Sequence, residues 1–349
     1  MTRILGRTDG DGETGHLGAY RARDGSEGAP VHVDLDDPHA ALVVGKRGYG
    51  KSYTLGVLVE ELARTEGVVP VVADPMGAFE TFADRRDVAV EVVDSPRASA
   101  DAIAPRAWCD LLGLDRESAA GSLVWRAASE TSTLAGMREW VSGADVPAAT
   151  RRAAENHLAL AASWNAFSPD GLSATDFTTA SGVVLNLAGY DAAAMNAVVR
   201  AVASGLYDAR VAGRGPLPWL LVDEAHAFFD GVAGPALRTV LTRGRRPGVS
   251  LVTATQRPDA LPEVAISQAD LLVSHRLTSR ADIDALSHAR PTYARTSPAD
   301  RMPAALGEAV VVDDATESVH SVQVRKREVP HGGGSPSASD DGGDFESDT

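Results

Sequence analysis

The segment Gly45-Lys46-Arg47-Gly48-Tyr49-Gly50-Lys51-Ser52 places three glycines, a lysine and a hydroxyl at the spacing G-x-x-x-x-G-K-[ST]. Those residue types suit one task, gripping a phosphate. Glycine lets the backbone wrap an anion where a Cβ would block both the dihedrals and the approach. Backbone N–H groups and the start of the following helix then favour negative charge. Lys51 is placed to reach β- and γ-phosphates and the Ser52 hydroxyl to ligate Mg²⁺, and the nucleotide-binding stretch is expected to run from Gly45 through Tyr53. A chain with 33 glycines could match by chance. Here, however, an apolar run precedes the segment and an amphipathic run follows it.

Three further groups fit the same chemistry. Trp219-Leu220-Leu221-Val222 is an apolar run that ends in Asp223-Glu224. Packing does not explain two acids at a strand end. Asp223 is placed to hold Mg²⁺ through water, and Glu224 to polarise an attacking water, which phosphoryl transfer requires. Ser250 to Thr255 is another strand candidate, ending in Gln256, whose neutral amide can bond both water and γ-phosphate. Between these runs lies Arg243-Gly244-Arg245-Arg246-Pro247-Gly248. Its arginines could reach a neighbouring subunit's ATP, contact nucleic-acid phosphates, or form a solvated charge run. The expectation is an ATPase that uses ATP and Mg²⁺.

The elements that must position these groups follow from periodicity. Val31 to Leu35 alternates as a half-buried strand, and Asp36-Asp37-Pro38 marks a turn. His39 to Val44 reads as a buried strand running into the glycine loop, and Lys51 to Arg64 as a helix. Val68–Ala73, Val88–Val93, Val183–Leu187, Trp219–Asp223, Ser250–Thr255 and Leu271–His275 read as strands. Helices are expected near Ala192–Arg210 and Ala236–Thr242, and closing strands at Glu308–Val312 and Ser321–Val324. Strands alternating with helices make a mostly parallel sheet with helices on both faces, so ligands belong at the strands' carboxyl ends. Residues 1–38 read as an N-terminal segment, loosely ordered to about residue 30. The core occupies 39–95 and 182–328. Residues 96–181 read as a helical insertion with helices at Glu117–Ser129, Leu134–Val141 and Ala148–Trp164. An acidic, disordered tail is expected over 329–349.

Composition narrows the class. The 349 residues carry a net charge of −15, and five of the acids are in the last twenty residues. Lys46, Lys51 and Lys326 are the only lysines, and every other basic residue is arginine. Such an acidic, lysine-poor surface fits a halophile's protein, or else a GC-rich genome. Either way there is no global basic field, so any DNA site must be local. Cys109 is the single cysteine, which excludes an intrachain disulfide and a cysteine zinc site. With no membrane-length apolar run and no leader-like start, a cytoplasmic location away from membranes is expected.

In order along the chain, GKRGYGKSYTLGVL, DPMG, LLVDEAHAFF, RGRRPGVSLVTATQRP and VSHRL resemble the HerA/FtsK branch of P-loop NTPases, and HerA-like ATPases most closely. The likeness spans about residues 31–325, loosely over 96–181. It implies a RecA/FtsK-like α/β fold. It also implies homohexameric rings that hydrolyse ATP between subunits and translocate double-stranded DNA as translocases or helicases. By the same likeness Lys51, Ser52, Asp223, Glu224 and Gln256 take the roles given above, and Arg245, or else Arg243, is the arginine finger. Family members carry an N-terminal β-barrel that docks a nuclease, NurA. About 38 residues are too few for that barrel, so the nuclease partner does not carry over directly. A regulatory or assembly ATPase acting on a protein effector is the alternative. Ala78 stands where relatives have an acid, with Glu80 nearby, and Tyr49 is bulky where they have a small residue. Asp223-Glu224-Ala225-His226 also spells a superfamily-two helicase motif, but that family's Ser-Ala-Thr step is missing, so His226 reads as a structural neighbour.

Overall fold

A computed structural model of the chain describes residues 3–22, 25–85, 87–172, 182–288 and 302–330. Three strands open it: β1 (Arg3–Leu5), β2 (Thr14–Arg21) and β3 (Glu27–Asp34). β4 (Ala40–Val44) runs into the glycine loop and α1 (Lys51–Leu62), followed by β5 (Val68–Asp74) and β6 (Glu91–Asp94). Four helices come next: α2 (Pro105–Leu111), α3 (Ala119–Glu130), α4 (Leu134–Ser142) and α5 (Ala148–Ser163). Then come β7 (Val183–Asn186), α6 (Ala192–Val211), β8 (Leu217–Val222), the short α7 (His226–Phe229), α8 (Gly234–Arg243) and β9 (Ser250–Thr255). The chain continues through α9 (Glu263–Ser267), β10 (Leu271–Ser274), α10 (Arg280–His288), β11 (Glu308–Asp313) and β12 (Ser318–Val324).

Among the described residues all twelve strands join one sheet in the order β1-β3-β2-β12-β11-β10-β4-β9-β8-β5-β7-β6. From β10 to β6 every neighbouring pair is parallel. Parallel strands are covered on both sides, and the side chains show it. Leu42, Val44, Leu220 and Val222 pack with α6 and α8 on one face. Ala41, Val43, Trp219 and Leu221 pack with α1 on the other. α2 to α5 form a third core around Trp108, Leu123, Met137, Val141 and Leu158, which rests on α6 at Ala197 and Ala201. Ser118 and Thr133 accept N–H groups at the starts of α3 and α4.

Residues 1–30 depart from expectation. β1 and β2 lie inside the stretch read as loosely ordered, and the strand expected at Val31 begins at Glu27. β2 pairs with β3 and, about 300 residues away in sequence, with β12. Leu5, Leu17 and Val31 are thereby buried. A pairing partner so distant leaves no local pattern, and glycine-rich composition hides the strand. From residue 331 on, the expected acidic tail lies outside the described residues.

Two buried charge clusters hold the phosphate-loop strand and its helix. Residues 325–330 cross α1 as a strap. Glu60, fully buried, accepts the backbone N–H groups of Glu328 and Val329 at 2.9 Å and the Arg325 guanidinium at 2.7 Å. Arg325 also reaches Glu61 at 2.7 Å, and Arg327 lies over Phe79 and Phe82. In the second cluster His39, just before β4, lies 3.4 Å from the Asp34 carboxylate and 3.2 Å from that of Asp270. One imidazole thus ties together the end of β3, the start of β4 and the start of β10.

Burial works against a charge on His39. The hydrogen bonds and charges of Asp270 and Asp34 outweigh it and raise the imidazole to about 9. The folded value lies above the unfolded value of roughly 6.5. The stabilisation is therefore complete below about pH 6.5 and is lost as pH rises through about 9, on the order of 3 kcal/mol in all. Melting temperature should fall between those pH values in the parent protein, and this component of the fall should vanish in His39→Gln. Equal slopes for the two proteins would show that His39 is not charged.

Candidate functional site

Register brings the loops of the site together. Val44 is level with Thr255 and with Ser274, and Val222 is level with Thr253. The glycine loop after β4, the acids after β8, Gln256 after β9 and His275 after β10 therefore leave the sheet on one side. β9 lies between β4 and β8, so Gln256 emerges between the glycine loop and the two acids.

The loop is shaped by contacts a side chain would forbid. Gly48 and Gly50 have φ of 80° and 122°, which L side chains rarely adopt. A Cβ on Gly45 would stand 2.6 Å from the His275 Cβ, and one on Gly50 would stand 3.0 Å from its ring. His275 is fully buried beneath the loop. The Glu308 carbonyl, 2.8 Å away, can only accept, so Nδ1 carries the proton and donates. Nε2 then accepts from the Thr54 hydroxyl at 2.8 Å. Burial, assisted by the nearby Lys51 charge, lowers this imidazole to about 4 against the pull of its backbone bond, so it stays neutral. Lys46 N–H also donates to the Arg276 carbonyl at 2.7 Å. Among the described residues no side chain caps the start of α1, where Gly50 stands at the N-cap. The start of this helix therefore presents its positive end to an anion in the loop.

Around this loop the expected residues fall as follows. The Ser52 hydroxyl donates to Asp223 Oδ2 at 2.8 Å, and Asp223 is buried. Lys51 Nζ, itself buried, lies 3.9 Å from Glu224 Oε1. Burial raises the Glu224 carboxyl above the ordinary glutamate range, and Asp223 adds to this. The Lys51 ammonium and the Gln256 backbone N–H pull the other way. Lys46, Arg47 and Gly48 are exposed on the loop, and Arg47 also faces Glu224. The Tyr49 ring lies beneath the Arg276 guanidinium, 5.7 Å from its centroid. The Tyr53 hydroxyl accepts the Arg327 N–H at 2.5 Å and so anchors the strap. A cavity of about 470 Å³ continues from Gly48–Tyr53 toward Leu306, Gly307, Gln323, Val324 and Lys326.

Asp74, closing β5 in DPMG, is fully buried and accepts the N–H groups of Met76, Ala78 and Phe79 at 3.2, 3.1 and 2.9 Å. Its carboxylate organises that turn. Ala78 is buried, whereas Glu80 is exposed on the following 3₁₀ turn.

Arg245 stands apart from this group. Its side chain is 74% exposed, and its guanidinium lies 3.8 Å from Asp270, at the starts of β4, β9 and β10. A five-residue strand spans about 17 Å, so Arg245 is a strand's length from its own chain's glycine loop. Arg243 and Arg246 are exposed on the same turn.

Two histidines escaped the sequence reading. His275 appeared only as part of VSHRL, since nothing local says that a strand-end histidine buttresses a glycine loop more than 200 residues earlier. His226 reads from the sequence as a structural neighbour of the acids, and its Nδ1 lies 3.4 Å from Glu224 Oε2 and 3.0 Å from Thr255 Oγ1. The signal for it was its place two residues after the acid pair, on a short helix.

Residues 16–162 match the family model described as helicase HerA, central domain. A comparison with the curated proteins yields no match. Among solved structures, VirB4 of Thermoanaerobacter pseudethanolicus superposes with a TM-score of 0.70 at 17% identity, over 92% of this chain and 98% of that one. The plasmid coupling protein TrwB, in complex with ADP and Mg²⁺, superposes with a TM-score of 0.59 at 15% identity, over 93% and 98%. These structures share the fold. Residues 16–162 are thus similar to the HerA central domain, and the chain as a whole shares with VirB4 and TrwB a fold in which a glycine loop leaves a mostly parallel sheet.

Proposed function

We propose that the chain hydrolyses ATP with Mg²⁺ at this site and works as a ring-forming motor on double-stranded DNA. The observation that carries the hydrolytic reading is the pair of contacts across β4 and β8, Ser52 to Asp223 at 2.8 Å and Lys51 to Glu224 at 3.9 Å. A hydroxyl and a buried carboxylate form an oxygen donor pair that suits a hard cation. Ser52 and Asp223 are the residues that would hold Mg²⁺, which when bound offsets the charge developing on the phosphoryl oxygens. Lys51 neutralises the phosphates, and the N–H groups of the glycine loop and of α1 up to Tyr53 cradle them. Glu224 takes the role of orienting and polarising the attacking water. The Gln256 carboxamide, on the strand between, bonds water and γ-phosphate together. The cavity lined by Tyr49, Gln323 and Lys326 is the seat for ribose and base.

The position of Arg245 supports the ring. An exposed arginine at the far end of the sheet cannot serve its own phosphate loop, but a second copy can present it there. An arginine finger stabilises charge in the transition state. A DNA-handling ring also accommodates a net charge of −15, because encirclement replaces a broad basic surface. The test is ATP hydrolysis with and without double-stranded DNA, together with mass by light scattering in high salt. A hexamer whose turnover rises with DNA is expected. An oligomer indifferent to DNA would move the assignment to a regulatory or assembly ATPase acting on a protein effector.

Residue variants separate the parts. Lys51→Ala should lose nucleotide binding. Glu224→Gln should bind ATP yet turn it over about 100-fold more slowly or worse. Arg245→Ala should lose turnover by itself and regain it in mixed assemblies with Lys51→Ala subunits, because intact arginines then face intact phosphate loops. Full activity of Arg245→Ala alone would remove the finger assignment and shift attention to Arg243.

A further inference from the structure

We propose that His226 is a positioning residue for Glu224, a bridge that ties this carboxylate to the strand carrying Gln256. The inference rests on the reading of Glu224 as the group that polarises water. The main chain at Glu224 is fixed. Its φ of 47° lies in the left-handed region, where a residue with a side chain sits at a cost. Its N–H donates to Asp223 Oδ1 at 2.9 Å, and its carbonyl accepts the Ala227 N–H at 2.9 Å. The side chain beyond has three rotatable bonds and needs fixing separately. Lys51 Nζ stands 3.9 Å from Oε1 on one side. On the other side Oε2 is buried and makes no geometric hydrogen bond among the described residues, with His226 Nδ1 3.4 Å away.

The same Nδ1 is 3.0 Å from Thr255 Oγ1, at the end of β9 and one residue before Gln256. Thr255 Oγ1 in turn accepts the Arg257 N–H at 3.0 Å. A carboxylate oxygen can only accept, so the tautomer with the proton on Nδ1 is the one that serves Glu224 and Thr255 together. A small rotation of the glutamate end converts the 3.4 Å contact into a hydrogen bond. One ring therefore links the acid after β8 to the amide after β9. A shift of Gln256 toward a γ-phosphate is transmitted through Thr255 and His226 to Glu224, which aligns the two groups that must meet the same water.

The test uses the full chain. Steady-state ATP hydrolysis gives kcat and KM, and a fluorescent N-methylanthraniloyl-ATP titration gives affinity independently of turnover. His226→Ala should lower kcat by about 10- to 100-fold while affinity stays within about twofold, the pattern of a misaligned rather than an unbound site. His226→Asn, which places an N–H near the position of Nδ1, should return kcat to within about threefold of the parent. His226→Phe keeps the ring volume without the N–H and should be as slow as alanine. In a Glu224→Gln background, His226→Ala should cost nothing further. Recovery by phenylalanine would show that His226 only fills space, and unchanged kcat in all three variants would remove it from the reaction. Glu224→Gln measured alongside distinguishes the two readings. If it loses turnover while His226→Ala does not, the bridge alone fails. If it keeps turnover, the role of Glu224 fails and the bridge with it.

Discussion

The site depends first on parallel strands that end at the same level. Because Val44, Thr255 and Ser274 share a level and Val222 pairs with Thr253, four loops from distant parts of the chain leave one rim of the sheet. Parallel pairing has a cost in topology, since each return needs a crossover on a face of the sheet. Those crossovers cover both faces, which bury Leu42 and Val44 on one side and Ala41 and Val43 on the other. The backbone amides and the α1 N-terminus then face the rim, where charge chemistry can use them.

On this frame, three buried polar side chains are met by partners. His275 is kept neutral with both ring nitrogens bonded, so it serves as a rigid wedge under Gly45 and Gly50. His39 is the opposite case, an imidazole held charged between two carboxylates. Glu60 is an uncovered acceptor in sequence terms but receives two backbone N–H groups and a guanidinium in the fold. An unpaired charge at any of these places would be strongly destabilising, whereas a fully paired one gives each strand and strap a unique seat. The phosphate loop is thus held from below by His275, its strand from behind by His39, and its helix from above by the strap.

The acids at the rim are held differently. Asp223 is bonded to Ser52, while Glu224 is half-anchored, with a strained backbone and a carboxylate shared between Lys51 and His226. That division suits the separate tasks proposed for them. A cation ligand benefits from rigidity, and a group that orients water must respond to a phosphate on the neighbouring strand.

The sequence alone determined what is local. The glycine spacing before Lys51-Ser52, the apolar run into Asp223-Glu224 and the strand into Gln256 were all legible, because dihedral freedom and periodicity act over a few residues. The alternation of strands and helices was legible for the same reason, as were α3, α4 and α5, whereas the short α2 was not. Only the tertiary structure decided what depends on long-range pairing. β1 and β2 were invisible because β2 finds its edge on β12, and the strap was invisible because Glu60 and Arg325 meet across most of the chain. His275 and His226 carry no local signature, since a histidine's task is set by which carbonyl, hydroxyl or carboxylate the fold brings to its two nitrogens. The place of Arg245, a strand's length from its own phosphate loop, likewise follows from strand direction, which no spacing along the chain records.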